Sequence, residues 1–149
     1  MTKQRFVYAI YIKATPQAVF HALTDGPTTR AYWFHENVSD WKPGSDWEHR
    51  RLDGSRADVV GKVVESDPPR RLVTTWAAPA NRDDPEKYSR VTFEIEPKGE
   101  VVRLVVTHDD LEPETLADVA NGWASVLSSL KSLLETGQSL GDLWDGRHN

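Results

Sequence analysis

The feature that most constrains the fold of this chain is a long amphipathic segment near its C-terminus, roughly Pro113 to Thr136. Its apolar residues recur at steps of four and three, which places them on one face of an α-helix about 36 Å long. The chain between Val38 and His108 has the pattern of short strands instead. Since the apolar stripe of a single helix must be covered, we expect it to pack on this sheet. The stripe comprises Leu116, Ala120, Trp123, Leu127, Leu130 and Leu134.

Composition and charge exclude several classes of protein. The 149 residues predict a single domain over 1–149, with an ordered core at about 5–137 and a tail over 138–149. No apolar run approaches the roughly 18 residues needed to cross a bilayer. The net charge of −5 argues against binding to nucleic acid. Without a signal peptide or any cysteine, we expect a cytoplasmic protein that lacks disulfides.

Capping and turn signals divide the chain into its elements. Thr15-Pro16 predicts a helix start, and Asp25-Gly26 predicts the end of that helix. Asp53-Gly54 predicts a hairpin, and Gly61 a bend or bulge. We therefore expect an α+β fold in which a curved antiparallel β-sheet of six to seven strands grips the C-terminal helix, with two short helices after the first strand. The predicted strands are 6–12, 38–41, 47–52, 57–66, 71–77, 91–96 and 101–108, the second short helix is 28–34, and a polar loop covers 79–87.

Several stretches in this order carry a family resemblance. They are Ile12–Phe20, Tyr32–Phe34, Trp41–Gly44, Gly61–Leu72 with Thr75-Trp76, and Asn121–Trp123 with Leu127 and Leu130. The ordered set, which spans nearly the whole chain, resembles the START-like superfamily (SRPBCC, or Bet v 1-like helix-grip). Within it, the chain is similar to the branch related to the C-terminal domain of the activator of Hsp90 ATPase. Such folds host carriers, receptors and enzymes, so the resemblance predicts fold more specifically than function.

The resemblance implies an elongated apolar cavity between the sheet and the long helix, with its mouth near the short helices and loops. Periodicity independently places Trp76 with Leu72 and Leu104 with His108 on common strand faces. The alternative is that these side chains meet and fill the space. The residues expected on the cavity wall as ligand-binding residues are Trp33, Phe34, Trp41, Trp76, Phe93, Leu104, Val106, His108, Trp123, Leu127 and Leu130.

Two polar residues are weak candidates for catalysis. His108 ends an apolar strand face, so it could orient a ligand or act as a general acid or base. It could equally be a strand-end histidine bonded to a backbone carbonyl, Asp109 or Asp110. Glu65 shares a predicted strand face with Gly61, which could bring a carboxylate near the cavity, although an exposed strand charge is the more common role.

The histidines lie in different elements without a metal-binding spacing, and no phosphate-binding or nucleophile-elbow motif is present. We therefore expect no metal and no cofactor.

Three functions remain open. The first is binding or carriage of a small hydrophobic ligand, lipid-like or aromatic. The second is a chaperone-associated interaction module, although 149 residues leave no room for the N-terminal domain that accompanies this domain in the Hsp90 activator. The third is an enzyme of the cyclase or dehydratase type. An exposed strand edge would also suit a homodimer.

Overall fold

The computed structural model describes residues 2–141, and it confirms the predicted α+β architecture. The predicted tail falls largely outside the described residues, and Leu143 and Trp144 with it. The strands are β1 (Gln4–Ile12), β2 (His35–Val38), β3 (Asp46–Arg51), β4 (Ala57–Asp67), β5 (Arg71–Trp76), β6 (Ser89–Lys98) and β7 (Val101–Leu111). The helices are α1 (Pro16–Thr24), α2 (Gly26–Tyr32) and α3 (Leu116–Thr136), with 3₁₀ turns at Pro79–Asn81, Pro85–Lys87 and Pro113–Thr115.

All seven strands form one antiparallel sheet in the order β1-β7-β6-β5-β4-β3-β2. The helix α3 packs on the concave face of this sheet. Its buried residues are Trp123, Val126, Leu127, Ser129 and Leu130. Three residues of the predicted stripe are therefore fully buried, whereas Leu116, Ala120 and Leu134 are half-buried. Gly137 ends the helix in a left-handed conformation with φ +84°, as its sequence position predicts.

Two side-chain caps position the short helices. The Oγ1 atom of Thr15 accepts a hydrogen bond of 3.1 Å from the backbone N–H of Ala18 at the start of α1. Asp25 follows α1 and caps α2, because its carboxylate accepts from the backbone N–H of Thr28 at 3.1 Å and from the hydroxyl of Thr28 at 2.6 Å. These hydrogen bonds lower the pKa of Asp25. The two helices thus form one fixed corner, and Trp33 follows directly after it.

The strand predicted at 38–41 is wrong, because β2 lies earlier, at His35–Val38. Residues 39–42 form a turn instead. The hydroxyl of Ser39 accepts from the backbone N–H of Trp41 at 2.9 Å, and the carboxylate of Asp40 accepts from that of Lys42 at 2.9 Å. Trp41 itself has φ +61°, which a strand does not allow. Side-chain bonds to the backbone therefore outweigh the alternating pattern in this segment.

Of the two roles considered for Glu65, the structure supports the exposed strand charge and not a carboxylate near the cavity. The pairing of β4 with β5 shifts between Val63 and Glu65, so Val64 is an extra residue in the strand. Because the alternation reverses across this bulge, Val63 is buried while Glu65 faces solvent. Its carboxylate pairs with Arg71, the guanidinium Nε lying 3.1 Å from Oε2. Glu65 is therefore a surface charge on the outer side of the sheet.

Candidate functional site

The N-terminal half of α3 and the sheet beneath it border a partly open cavity of about 180 Å³. The wall combines residues from four elements. Trp33 follows α2, Trp76 ends β5 and His108 lies in β7, while two turns of α3 supply the rest. The lining residues are Trp33, Trp76, His108, Val119, Gly122, Trp123 and Val126. The wall is thus mainly aromatic and aliphatic, which suits an apolar ligand.

Three indole rings form the rigid part of this wall. The centroid of the Trp33 ring lies 5.6 Å from that of Trp123 and 6.3 Å from that of Trp76, and the Trp76 and Trp123 centroids lie 5.6 Å apart. Phe93 adds an edge-to-face contact with Trp123 at 5.7 Å. Contacts of this geometry fix large side chains in single orientations, so the cavity keeps a defined shape.

His108 is buried at the cavity wall, with 2% of its surface exposed. The indole N–H of Trp123 donates to Nδ1 of His108 at 3.0 Å. On the other side of the ring, Nε2 lies 2.8 Å from Oγ of Ser89, which in turn donates to the backbone carbonyl of Trp76 at 3.1 Å. The expected partners of a strand-end histidine, Asp109 and Asp110, are not the ones it uses.

These contacts determine the protonation of His108. An indole N–H can only donate, so Nδ1 must be the unprotonated acceptor. The proton of the neutral ring is therefore on Nε2, which donates to Ser89. A catalytic serine–histidine pair needs the opposite arrangement, in which an acceptor holds Nδ1–H and Nε2 is free to take the serine proton. The Ser89–His108 pair is thus arranged to support structure and not to activate a nucleophile.

The protonation of His108 should make stability depend on pH. Burial lowers the pKa of His108 from 6.5 to about 4, with Asp109 opposing the shift only in part. Between these two values the unfolded chain binds a proton that the native protein does not, so the free energy of unfolding should decrease as pH falls. The stabilisation is complete above pH 6.5, and about 3 kcal/mol of it should be lost by pH 4.

Urea unfolding at pH 7, 6, 5 and 4 measures this dependence, and His108→Gln should make the curve flatter. Some slope should remain in that variant, because burial and the neighbouring His35 also lower the pKa of His49. The control variant His21→Gln removes an exposed histidine that lies 3.7 Å from Asp25 and should change the curve far less than His108→Gln does. Equal slopes for the wild type and His108→Gln would contradict the assignment.

A stacked pair of histidines, half-buried His35 and buried His49, packs against Trp33. The rings of His35 and His49 stack in parallel with centroids 4.2 Å apart, and the His49 centroid lies 4.8 Å from that of Trp33. Nε2 of His35 lies 2.8 Å from the carboxylate of Asp58, and Nδ1 of His49 lies 2.6 Å from Oδ1 of Asn37. Among residues 2–141, no group of three or more His, Cys, Asp or Glu side chains is placed to hold a metal ion.

Two further spaces adjoin the cavity. The outer one, of about 480 Å³, shares Trp76, His108 and Val119 with it and is bordered by residues of the segments 78–89 and 110–115. Its charged members are Lys87, Asp110, Glu112 and Glu114. The inner space, of about 10 Å³, shares Trp33 and Trp76 with the cavity and reaches Thr74 and Phe93. The cavity therefore opens toward the segments 78–89 and 110–115, and a separate small space lies behind the rings of Trp33 and Trp76.

The structure separates the predicted wall residues into groups. Trp33, Trp76, His108 and Trp123 line the cavity. Trp41 and Phe93 line the inner space, together with Trp33 and Trp76. The remaining aliphatic members are fully buried in the core under the second half of α3 and do not line the cavity; they are Leu104, Val106, Leu127 and Leu130. The described cavity is therefore bordered by fewer of the predicted residues than expected.

Phe34 departs further from the expectation, because it is half-buried with φ +57° and lies outside the core cluster. Sequence reasoning also missed several lining residues. Val119, Gly122 and Val126 follow one another at helical steps beside Trp123, so the period of α3 contained a usable signal. Thr74 shares the period-two face of Leu72 and Trp76, so alternation within β5 indicated its side. Ser89 had no such signal, since its place depends on strand register.

The curved sheet, the long helix across it and the cavity between them define a helix-grip protein. The chain matches the model of the family described as Activator of Hsp90 ATPase homolog 1-like protein over residues 13–135, and it therefore belongs to that family. A search among curated proteins finds no match. Within residues 2–141, none of the helices has the length and apolar character required to cross a membrane.

Solved structures of similar fold include two proteins named for Hsp90 activation. The Aha1 dimer from Colwellia psychrerythraea is 22% identical, with a TM-score of 0.76, and the match covers 91% of this chain and 99% of that one. An HSP90 activator from Plasmodium falciparum is 24% identical, with a TM-score of 0.72 and coverages of 87% and 95%. CalU16 from Micromonospora echinospora is 20% identical, with a TM-score of 0.73 and coverages of 89% and 77%. At these identities the likeness establishes the fold.

Proposed function

We propose that this protein binds a small apolar ligand, about one aromatic ring in size, in the cavity lined by Trp33, Trp76 and Trp123. The cavity of about 180 Å³ carries the proposal. An apolar protein cavity of about 150 Å³ stays free of water and accepts benzene. Sites for drug-sized ligands are larger, at roughly 300–1,000 Å³. The volume therefore favours a single ring over the lipid-like ligand that the resemblance alone allowed.

The affinity should be modest. A ring that buries about 200 Å² of apolar surface gains about 5 kcal/mol. Part of this gain is offset by the lost freedom of the ligand, so a dissociation constant near the millimolar range is expected for a plain hydrocarbon. A polar part of the natural ligand could extend toward the outer space beside Lys87 and Glu112, where charged side chains meet solvent.

Filling the cavity should abolish binding. Val119 lies on its wall and is half-buried, so Val119→Phe places a ring in the same volume that the ligand needs. We expect at least a tenfold weaker affinity for toluene, measured by titration of backbone amide shifts in NMR. Val7→Phe is the matched control, because Val7 is 54% exposed on the outer face of β1. Unchanged toluene binding by Val119→Phe, or none by the wild type, would remove the proposal.

Membership of the Hsp90-activator family favours a second function, a co-chaperone-like interaction module. The match covers 95% of the solved Plasmodium chain, so a chain of similar length is named an HSP90 activator. The ATPase rate of a purified Hsp90 with and without this protein tests the function directly. Acceleration would support it, whereas an unchanged rate together with no capture of Hsp90 would exclude it.

The third candidate function, an enzyme that uses His108 with Glu65, has less support than the other two. Glu65 is on the outer face of the sheet, paired with Arg71. Both ring nitrogens of His108 are already hydrogen-bonded inside the protein. A two-residue mechanism requires both groups within reach of one substrate, and these two residues do not converge.

A further inference from the structure

Thr74 carries the one buried side-chain polar atom in residues 2–141 that lacks a hydrogen-bond partner, its hydroxyl Oγ1. Thr74 lies in the middle of β5 and is 2% exposed. A buried hydroxyl without a partner is unfavourable, and folded proteins normally supply one. The position therefore calls for an external partner.

The space next to Thr74 can hold such a partner. It measures about 10 Å³, which is close to the minimum for one water-sized group, and it is bordered by Trp33, Asn37 and Trp76 among others. Asn37, the other uncharged polar side chain on this space, donates to the carbonyl of Leu23 at 3.2 Å and lies 2.6 Å from Nδ1 of His49, and it makes no hydrogen bond to Thr74.

The same two indoles, Trp33 and Trp76, line both this space and the larger cavity. Their rings stand 6.3 Å apart between centroids and 26° from parallel. Trp76 is the less buried of the two and is the last residue of β5. A ring in the cavity is therefore separated from Thr74 only by the indoles that border both spaces.

We propose that the cavity and the inner space are two parts of one ligand site, and that the hydroxyl of Thr74 pairs with a hydroxyl group on the ligand. The inference rests on the proposed ring-binding function and narrows its ligand class to phenols. The ring occupies the cavity, and the phenolic hydroxyl reaches past the indoles of Trp33 and Trp76 into the space beside Thr74. The inner space admits one small polar group, so larger acidic groups such as carboxylates do not reach it.

Toluene and p-cresol are the matched probes, because they differ only by the hydroxyl group. Dissociation constants for both are measured by NMR titration of the wild type and of Thr74→Val, which keeps the shape of the side chain. The ratio of the toluene constant to the p-cresol constant should be about 3–10-fold higher in the wild type than in Thr74→Val, as expected for one neutral hydrogen bond. Toluene itself should bind both proteins equally.

Two further variants exclude other causes. Thr74→Ser keeps the hydroxyl and should keep the preference for p-cresol, which also protects the test if Thr74→Val folds poorly. Thr92→Val makes the same change at another buried threonine, which does not line the cavity, and should leave the ratio unaltered.

The outcomes distinguish this inference from the function on which it rests. If both probes bind but the ratio is the same in Thr74→Val, the cavity binds rings and the role of Thr74 is overturned. A water molecule held beside Thr74 would give this result. If neither probe binds the wild type, the ring-binding function fails, and the inference falls with it.

Discussion

Replacement of Trp123 by alanine should lower the free energy of unfolding by about 3–5 kcal/mol, the usual range for removing a buried aromatic side chain. Trp123 is 4% exposed and packs against Trp33, Trp76 and Phe93. Its removal enlarges a cavity that already exists, so the neighbouring rings cannot close the gap. The loss also leaves Nδ1 of His108 without its donor. Urea or thermal unfolding at pH 7 measures the effect.

Two variants separate packing from hydrogen bonding at this position. Trp123→Phe retains a ring but removes the indole N–H, so its cost should be smaller, about 1–3 kcal/mol. Tyr11→Ala removes an aromatic ring that is 53% exposed on β1 and should change stability by about 0.5 kcal/mol or less. A loss well under 1 kcal/mol for Trp123→Ala would mean that α3 is not seated on the sheet as described.

Gly61→Ala should be destabilising by about 3 kcal/mol or more, although it adds one methyl group. A Cβ atom at position 61 would lie 2.0 Å from the carbonyl oxygen of Thr75 and 2.6 Å from Nε1 of Trp47. Those two atoms are joined by a hydrogen bond of 2.8 Å, so neither retreats without loss of that bond. The carbonyl belongs to the backbone of β5, which pairs with β6 along its length.

The control for Gly61→Ala is Gly99→Ala in the turn between β6 and β7. A Cβ atom at position 99 would have no neighbour within 4 Å, and only its φ of +65° is unfavourable. This strain should amount to about 1 kcal/mol. Similar unfolding midpoints for the two variants would contradict the role of close approach at Gly61.

Local sequence signals predicted the elements well where a single segment determines them. The cap at Thr15, the end of α1 at Asp25 and the end of α3 at Gly137 are confirmed, because each depends on side chains or φ values within a few residues. Trp33, Trp76 and Trp123, which the family resemblance placed on one wall, lie together around the cavity. Whether they bind a ligand stays a prediction.

Features that depend on pairing between segments could not be read from the sequence. Gly61 indicated an irregularity in β4, but the extra residue is Val64, and its position is set by the register with β5. That one extra residue reversed the side to which Glu65 points. The partners of His108 likewise come from α3 and β6, so no pattern within β7 identified them.

The hydrogen-bonded chain from Trp123 through His108 and Ser89 to the carbonyl of Trp76 has only one arrangement of its protons. The indole N–H of Trp123 at one end can only donate a hydrogen bond, and the carbonyl oxygen of Trp76 at the other end can only accept one. The direction of donation along the chain is therefore fixed. A proton relay needs a chain in which this direction can reverse. The chain therefore conducts no protons across the wall, and the imidazole of His108, engaged at both nitrogens, presents neither a free lone pair nor a free N–H. Within residues 2–141, His108 is the one histidine on this wall, and toward the cavity its ring behaves as one more hydrocarbon surface. This side of the cavity should therefore discriminate against solutes that must keep their water.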